Sequence, residues 1–141
     1  TARGLDVATI KHAHHEFEAD TAGKDSWRHR KAGARQVLVS SAIRSAHFVE
    51  HKTTEPELAQ LLNRLLPCDL VLIEGFKREA VPKMEIFRAK VGKPHLYTED
   101  NQIIAVASDS TVPDCPLPVL DLNDIPTIAD FVLQVVGLSS R

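Results

Sequence analysis

Glu74 ends the run Asp69-Leu70-Val71-Leu72-Ile73 and is followed at once by Gly75, Phe76 and Lys77. Four consecutive aliphatic residues fit a strand buried on both faces, as in a parallel sheet covered by helices. A carboxylate at the C-terminal end of such a strand projects into the crevice where open α/β sheets bind ligands. There it can hold Mg²⁺ through the ion's water shell, because this small cation keeps several waters and takes few protein carboxylates. The same pattern also arises when an acid simply caps a strand with a solvated charge.

A second reactive stretch is Lys11-His12-Ala13-His14-His15. In an extended chain His12 and His14 share a face and His15 points away. Imidazoles at this density suit Zn, Cu or Ni, with Glu16 or Asp20 as a further ligand, since no cysteine is near. The other reading is a polar loop at the crevice mouth whose histidines donate to phosphate or carboxylate. Asp20-Thr21-Ala22-Gly23 has the Asp-x-x-Gly spacing of GTP-binding proteins, in which the aspartate serves Mg²⁺ and the glycine amide senses the terminal phosphate. That motif normally ends an apolar strand, which His15-Glu16-Phe17-Glu18-Ala19 is not. Glu74 is therefore assigned the strand-end role and Asp20 a loop facing it. Between Ile10 and Trp27 the one large apolar side chain is Phe17, so Lys11 to Ser26 is expected to be a mobile, ligand-facing loop.

Lys24, Arg28, Lys31 and Arg35 follow helical spacing and form one basic stripe. It is either a solvated face, or a face whose N-terminal end, with Lys24 and the amides near Asp25 and Ser26, meets an anion. Trp27 lies off the stripe and is expected in the core or a subunit contact.

These groups need elements to position them. Leu5 to Ile10 reads as a first strand, entered from a turn closed by Gly4. A helix is expected over about Lys24 to Ala32, then strands at Gln36 to Ser41 and Ala46 to Glu50. Thr54-Glu55-Pro56-Glu57 has capping-box spacing and opens a helix carrying Leu58, Leu61, Leu62, Leu65 and Leu66, stopped by Pro67. Further strands are expected at Lys83 to Phe87 and at Ile103 to Ala107, the latter another buried-type run, and Val119 to Asp121 is a short strand or extended chain. Thr111 to Pro118 holds three prolines and is a loop. The last helix runs from Asn123 or Asp124 to Gly137, with Ile128, Phe131, Val132, Val135 and Val136 on its inner face. Strands alternate with helices throughout, which indicates an α/β domain with a mainly parallel sheet.

At 141 residues with a net charge of −2, the chain is expected to form a single domain, residues 1–141, with no general pull toward nucleic acid or acidic membranes. No apolar run is long enough to cross a membrane, and the two cysteines, Cys68 and Cys115, form neither a metal motif nor a disulfide framework. A cytoplasmic location is expected.

Taken together, Ala2-Arg3-Gly4-Leu5, Ile10-Lys11-His12 with His14-His15, Asp20 with Gly23-Lys24-Asp25-Ser26, and Arg30-Lys31-Ala32-Gly33-Ala34 resemble the MobB family of molybdopterin-guanine dinucleotide biosynthesis adaptor proteins. Leu72-Ile73-Glu74-Gly75-Phe76-Lys77, Ile104-Ala105-Val106-Ala107-Ser108-Asp109 and Asp121-Leu122-Asn123-Asp124 extend the match across nearly the whole chain. The resemblance implies a three-layer P-loop NTPase-like α/β fold and a GTP-binding adaptor assisting MobA, the enzyme that attaches GMP to molybdopterin. It also implies a homodimer, Mg²⁺ and weak GTP hydrolysis. Carried onto this sequence, the binding residues are Lys11, His12, Asp20, Gly23, Lys24, Asp25, Ser26, Glu74, Gly75 and Lys77, with Glu74 serving the metal.

The sequence departs from the family in one respect. No Gly-x-x-x-x-Gly-Lys-Ser/Thr occurs, since Glu18 and Phe87 precede the two Gly-Lys pairs at the spacing where glycine is required. The first strand, the phosphate loop and most of the first helix are therefore expected to lie upstream of Thr1, and the chain alone to be inactive. Guanine choice is not legible, as no Asn-Lys-x-Asp occurs. The rival expectations are a metal-handling protein of related fold using His12, His14 and His15, and a non-catalytic interaction domain.

Overall fold

The computed structural model describes residues 1–13 and 17–139. In chain order the elements are β1 (Val7–Lys11), α1 (Asp25–Lys31), β2 (Gln36–Ser40), β3 (Ser45–Val49), α2 (Leu58–Leu62) and β4 (Leu70–Glu74). They continue with β5 (Lys83–Phe87), a 3-10 turn (Ala89–Val91), β6 (Ile103–Ser108), β7 (Val119–Asp121) and α3 (Ile125–Val136). Three strand pairs are parallel and one is antiparallel, so the α/β, mainly parallel expectation holds. The chain divides into two compact units, Asp6–Phe76 and Thr1–Leu5 with Lys77–Arg141.

In the unit Asp6–Phe76, β1 and β4 pair in parallel from Val7↔Leu70 to Lys11↔Glu74. The register starts where the Asp69 carboxylate accepts the Asp6 N–H at 2.7 Å. It ends with Lys11 and Glu74 side by side. β2 and β3 form an antiparallel hairpin, Gln36↔Val49 to Ser40↔Ser45, closed by the Ser41 N–H donating to the Arg44 carbonyl at 2.8 Å.

Two expectations are corrected here. Leu72 of β4 is 44% exposed, so β4 is covered on one face only. Helix α2 is one short turn that leaves out Leu65 and Leu66, and its start lies three residues later than Thr54: Gln60 Oε1 accepts the Glu57 N–H at 3.1 Å. Pro56, expected inside the first turn, precedes this cap. A five-residue helix has room for little more than its own terminal turns.

In the other unit β6 lies between β5 and β7, all parallel, with a register shift at Lys83/Met84. Ile103, Ala105, Val106, Ala107 and Ser108 are buried, so the buried-type reading holds at β6 although it fails at β4. Small residues at Ala105 and Ala107 fit a strand crowded on both faces. α3 opens with the Asp124 carboxylate accepting the Thr127 N–H at 3.1 Å and the Thr127 hydroxyl at 2.7 Å. It closes at Gly137, φ +68°, where the Leu138 N–H reaches the Leu133 carbonyl. Its burial centres on Leu133, whereas Val135 and Val136 are exposed, because the final turn carries them past the packed stretch. Arg3 pairs with Asp130 and donates to the Pro126 carbonyl, fastening Thr1–Leu5 to this helix.

Candidate functional site

The parallel pairing of β1 with β4 brings Lys11, His12, Glu74 and Gly75 together at the C-terminal strand ends. Lys11 Nζ lies 2.9 Å from Glu74 Oε1, and the His12 N–H donates to the Glu74 carbonyl at 2.8 Å. Both partners of the ion pair are about 70% exposed, so the pair is open to exchange with a ligand. Gly75 sits at φ +90°, and a Cβ there would fall 2.7 Å from His12 Cβ. Only glycine lets the chain turn against His12 at this point. Phe76, also at positive φ (50°), lays its ring 4.7 Å from the His12 ring.

Glu55 was not legible as a site residue. Its carboxylate lies 2.6 Å from His12 Nε2 and fixes the imidazole between an acid and a phenyl ring. In sequence Glu55 reads only as part of a helix start. His14 and His15, the other members of the histidine cluster, and Glu16 lie outside the described residues. Among the described residues no group of three or more His, Cys, Asp or Glu gathers to hold a metal. A single exposed carboxylate beside a lysine suits a metal held through its water shell better than a protein cage.

The loop before α1 is held by ions. Asp20 Oδ1 accepts the Thr21 N–H at 2.8 Å and the Ser26 hydroxyl at 2.9 Å. Arg30, only 14% exposed, binds Glu18 at 2.7 Å and Glu50 at 2.9 Å, with Asp20 Oδ2 at 3.6 Å. Glu18 and then Glu50 raise the Arg30 pKa, and the Arg30 hydrogen bond, aided by the Asp20 N–H, lowers that of Glu18. The sequence shows little apolar surface to hold this loop; the structure supplies an arginine instead. Its signal in the sequence is faint: one arginine off the basic stripe, with acids on both sides along the chain.

Gly23 turns at φ +84°, the Lys24 N–H reaches the Thr21 carbonyl, and Lys24 and Asp25 are exposed at the start of α1. Lys24, Arg28, Lys31 and Arg35 are all exposed, but only Arg28 and Lys31 lie on α1, with Lys24 at its extended N-cap and Arg35 beyond its end, so the expected stripe is reduced to two residues. Trp27 is half-buried with the Lys31 ammonium 5.7 Å from its ring. Lys77 belongs to the other unit, where it lines a separate open cleft with Arg78, Lys83, Leu96, Asn101 and Gln102.

The model for Molybdopterin guanine dinucleotide synthesis protein B matches residues 1–109. The chain is 41% identical over 137 residues to the molybdopterin-guanine dinucleotide biosynthesis adapter protein of Escherichia coli (strain K12), covering 94% of this chain and 78% of that protein. It is 42% identical over 135 residues to the protein of the same name from Haemophilus influenzae, covering 93% and 73%. The crystal structure of Bacillus subtilis MobB superposes with a TM-score of 0.72 at 27% identity, covering 99% of this chain and 84% of that one. Sequence and fold agree: this chain belongs to the MobB family and has its P-loop NTPase-like α/β fold.

Proposed function

We propose that this chain is a GTP-binding adaptor in molybdopterin guanine dinucleotide biosynthesis that assists the MobA-type enzyme attaching GMP to molybdopterin. The observation that carries the reading is the exposed Lys11–Glu74 pair at the C-terminal end of parallel strands. That is where α/β folds place their ligands. Lys11 would leave Glu74 for a phosphate, and Glu74 would then hold Mg²⁺ through water. The bound metal supplies charge neutralisation for the phosphates. Glu55 keeps His12 in place beside them, Gly75 allows the backbone its close approach, and Asp20 with Ser26 shapes the loop that presents Gly23, Lys24 and Asp25. Lys77, the next residue after Phe76, belongs to the other unit.

GTP turnover in this reading is weak, the location cytoplasmic, and the active form a homodimer. Leu38, Val39 and Ile43 are exposed on and beside the β2–β3 hairpin and offer it an apolar surface.

Glu74→Gln tests the assignment. GTP affinity measured by calorimetry with and without Mg²⁺ should lose its Mg²⁺ dependence in the variant, with an unchanged circular dichroism melt. A variant that keeps full Mg²⁺ dependence removes Glu74 from the site. The sequence contains no P-loop, whose amides and lysine supply charge-assisted bonds worth about 1.5–3 kcal/mol each. These residues alone should therefore bind GTP more weakly than a polypeptide that also carries that loop.

A further inference from the structure

The chain from 95 to 102 lies against β5 and lends Leu96, Asp100 and Gln102 to the lining of the cleft that also includes Lys77, Arg78 and Lys83. Two fastenings hold it. At its far end Lys83 Nζ binds Asp100 Oδ2 at 2.9 Å, and the Lys83 N–H donates to the Gln102 carbonyl at 2.8 Å. At its near end stands Glu85, whose side chain is 3% exposed. Its Oε1 accepts the Leu96 N–H and its Oε2 the Tyr97 N–H, each at 3.0 Å.

The same acid faces a third group. His95 Nδ1 lies 3.4 Å from Glu85 Oε1, is buried, and makes no hydrogen bond among the described residues. The imidazole stacks on Phe87 with 3.9 Å between ring centres and leans on Tyr97 at 5.2 Å. Tyr97 hydrogen-bonds Cys115, with Asp114 near enough to act on it; burial first, then Cys115, holds the phenol above its ordinary range. Tyr97 therefore stays neutral, and Glu85 is the charge that the ring meets directly. Imidazole is the side chain whose charge ordinarily changes between about pH 5 and 8. Uncharged, Nδ1 offers Glu85 at most one neutral donor at a long distance. Charged, it gives the buried carboxylate an opposite charge and sets a cation against the Phe87 face. The side chain keeps 24% exposure, so charging it leaves part of its hydration in place.

We propose that His95 and Glu85 form a proton-operated latch that fastens this wall of the cleft. With the segment docked, the ring lies beside a carboxylate; with it lifted, the ring is in water. Docking therefore gains wherever the ring is charged, on the acid side, and loosens as pH rises through the imidazole range. Lysine and aspartate do not ordinarily titrate in that range, so the Lys83–Asp100 end stays fast and the His95 end responds. The latch uses none of the residues assigned to nucleotide or metal.

Amide hydrogen exchange followed by NMR on the unaltered chain tests this. The readout is the protection factor of the Leu96 and Tyr97 amides relative to that of Val106, whose N–H is bonded to the Pro118 carbonyl. That ratio should rise about tenfold from about pH 8 to about pH 5.5. The rise should track the titration of the His95 ring nitrogen shifts recorded on the same sample. His95→Phe keeps a ring in the stack and cannot take a proton, so its ratio should be flat. A flat ratio in the unaltered chain, a rise toward alkaline pH, or a rise that does not follow the His95 ring overturns the proposal. An equal rise in His95→Phe does the same. Should that variant fail to fold, the agreement between ring and amides in the unaltered chain decides.

Discussion

The two compact units use their carboxylates in different ways. In Asp6–Phe76 the acids mostly face other side chains: Glu74 with Lys11, Glu55 with His12, Glu18 and Glu50 with Arg30. In Lys77–Arg141 they mostly take backbone N–H groups: Glu85 from Leu96 and Tyr97, Asp109 from Ala89, Asp121 from Asn123, Asp124 from Thr127. A side-chain partner can be exchanged for a ligand at small cost, since exposed ion pairs contribute little to stability. An amide that loses its acceptor inside the protein pays the full desolvation penalty. Carboxylates of the first kind remain available for chemistry; those of the second are committed to the fold.

The largest test of this contrast is Glu85→Leu. The Glu85 side chain is 3% exposed and satisfies two amides, so the variant should lose about 3 kcal/mol in urea unfolding, from two orphaned donors. A loss under 1 kcal/mol would erase the distinction. Gly75→Ala comes next, at about 2 kcal/mol, since it forces an L-residue to φ +90° and drives a methyl against His12 Cβ. It should also disturb ligand binding out of proportion to stability, as His12 is held on its other side by Glu55.

Glu74→Gln should cost less than about 1 kcal/mol, because both members of its ion pair are exposed. The smallest effect is in acid. Thr127 lowers the Asp124 pKa through its hydroxyl and then its N–H, and Lys83 followed by the Gln102 N–H lowers that of Asp100. A carboxyl with a depressed folded-state pKa stabilises fully above its unfolded value near 4, and the contribution disappears as pH falls through the folded value. Thermal midpoints should therefore fall between pH 5 and pH 3, and Asp124→Asn should flatten that decline. An unchanged slope would mean the cap is not ionised when it matters.

Strand positions were legible because each is a short apolar run between turn residues: β5 matched its expected span, and β1, β2, β3 and β6 came within one or two residues at either end. The strand-end placement of Glu74 followed from the same pattern. What escaped was tertiary. Nothing local separates a strand covered twice from one covered once, so the two buried-type runs read alike and only the one at β6 is buried. Glu55 and Arg30 escaped because an ion pair between distant residues leaves no periodicity to read. The cap of α2 was misplaced because Thr54 and Glu57 both suit a helix start, and Gln60 decided between them through a bond that a sequence does not display.

Phe76 keeps a bulky side chain at φ +50°, a backbone setting that glycine would occupy without strain. That arrangement sets the interests of heat resistance against those of recognition. A library varied at this position and screened only for survival at high temperature should enrich Phe76→Gly. The survivors would give up the ring that flanks His12, and with it one wall of the cavity beside His12. A parallel screen for ligand capture should retain phenylalanine, so one codon would report which demand the protein has been asked to meet.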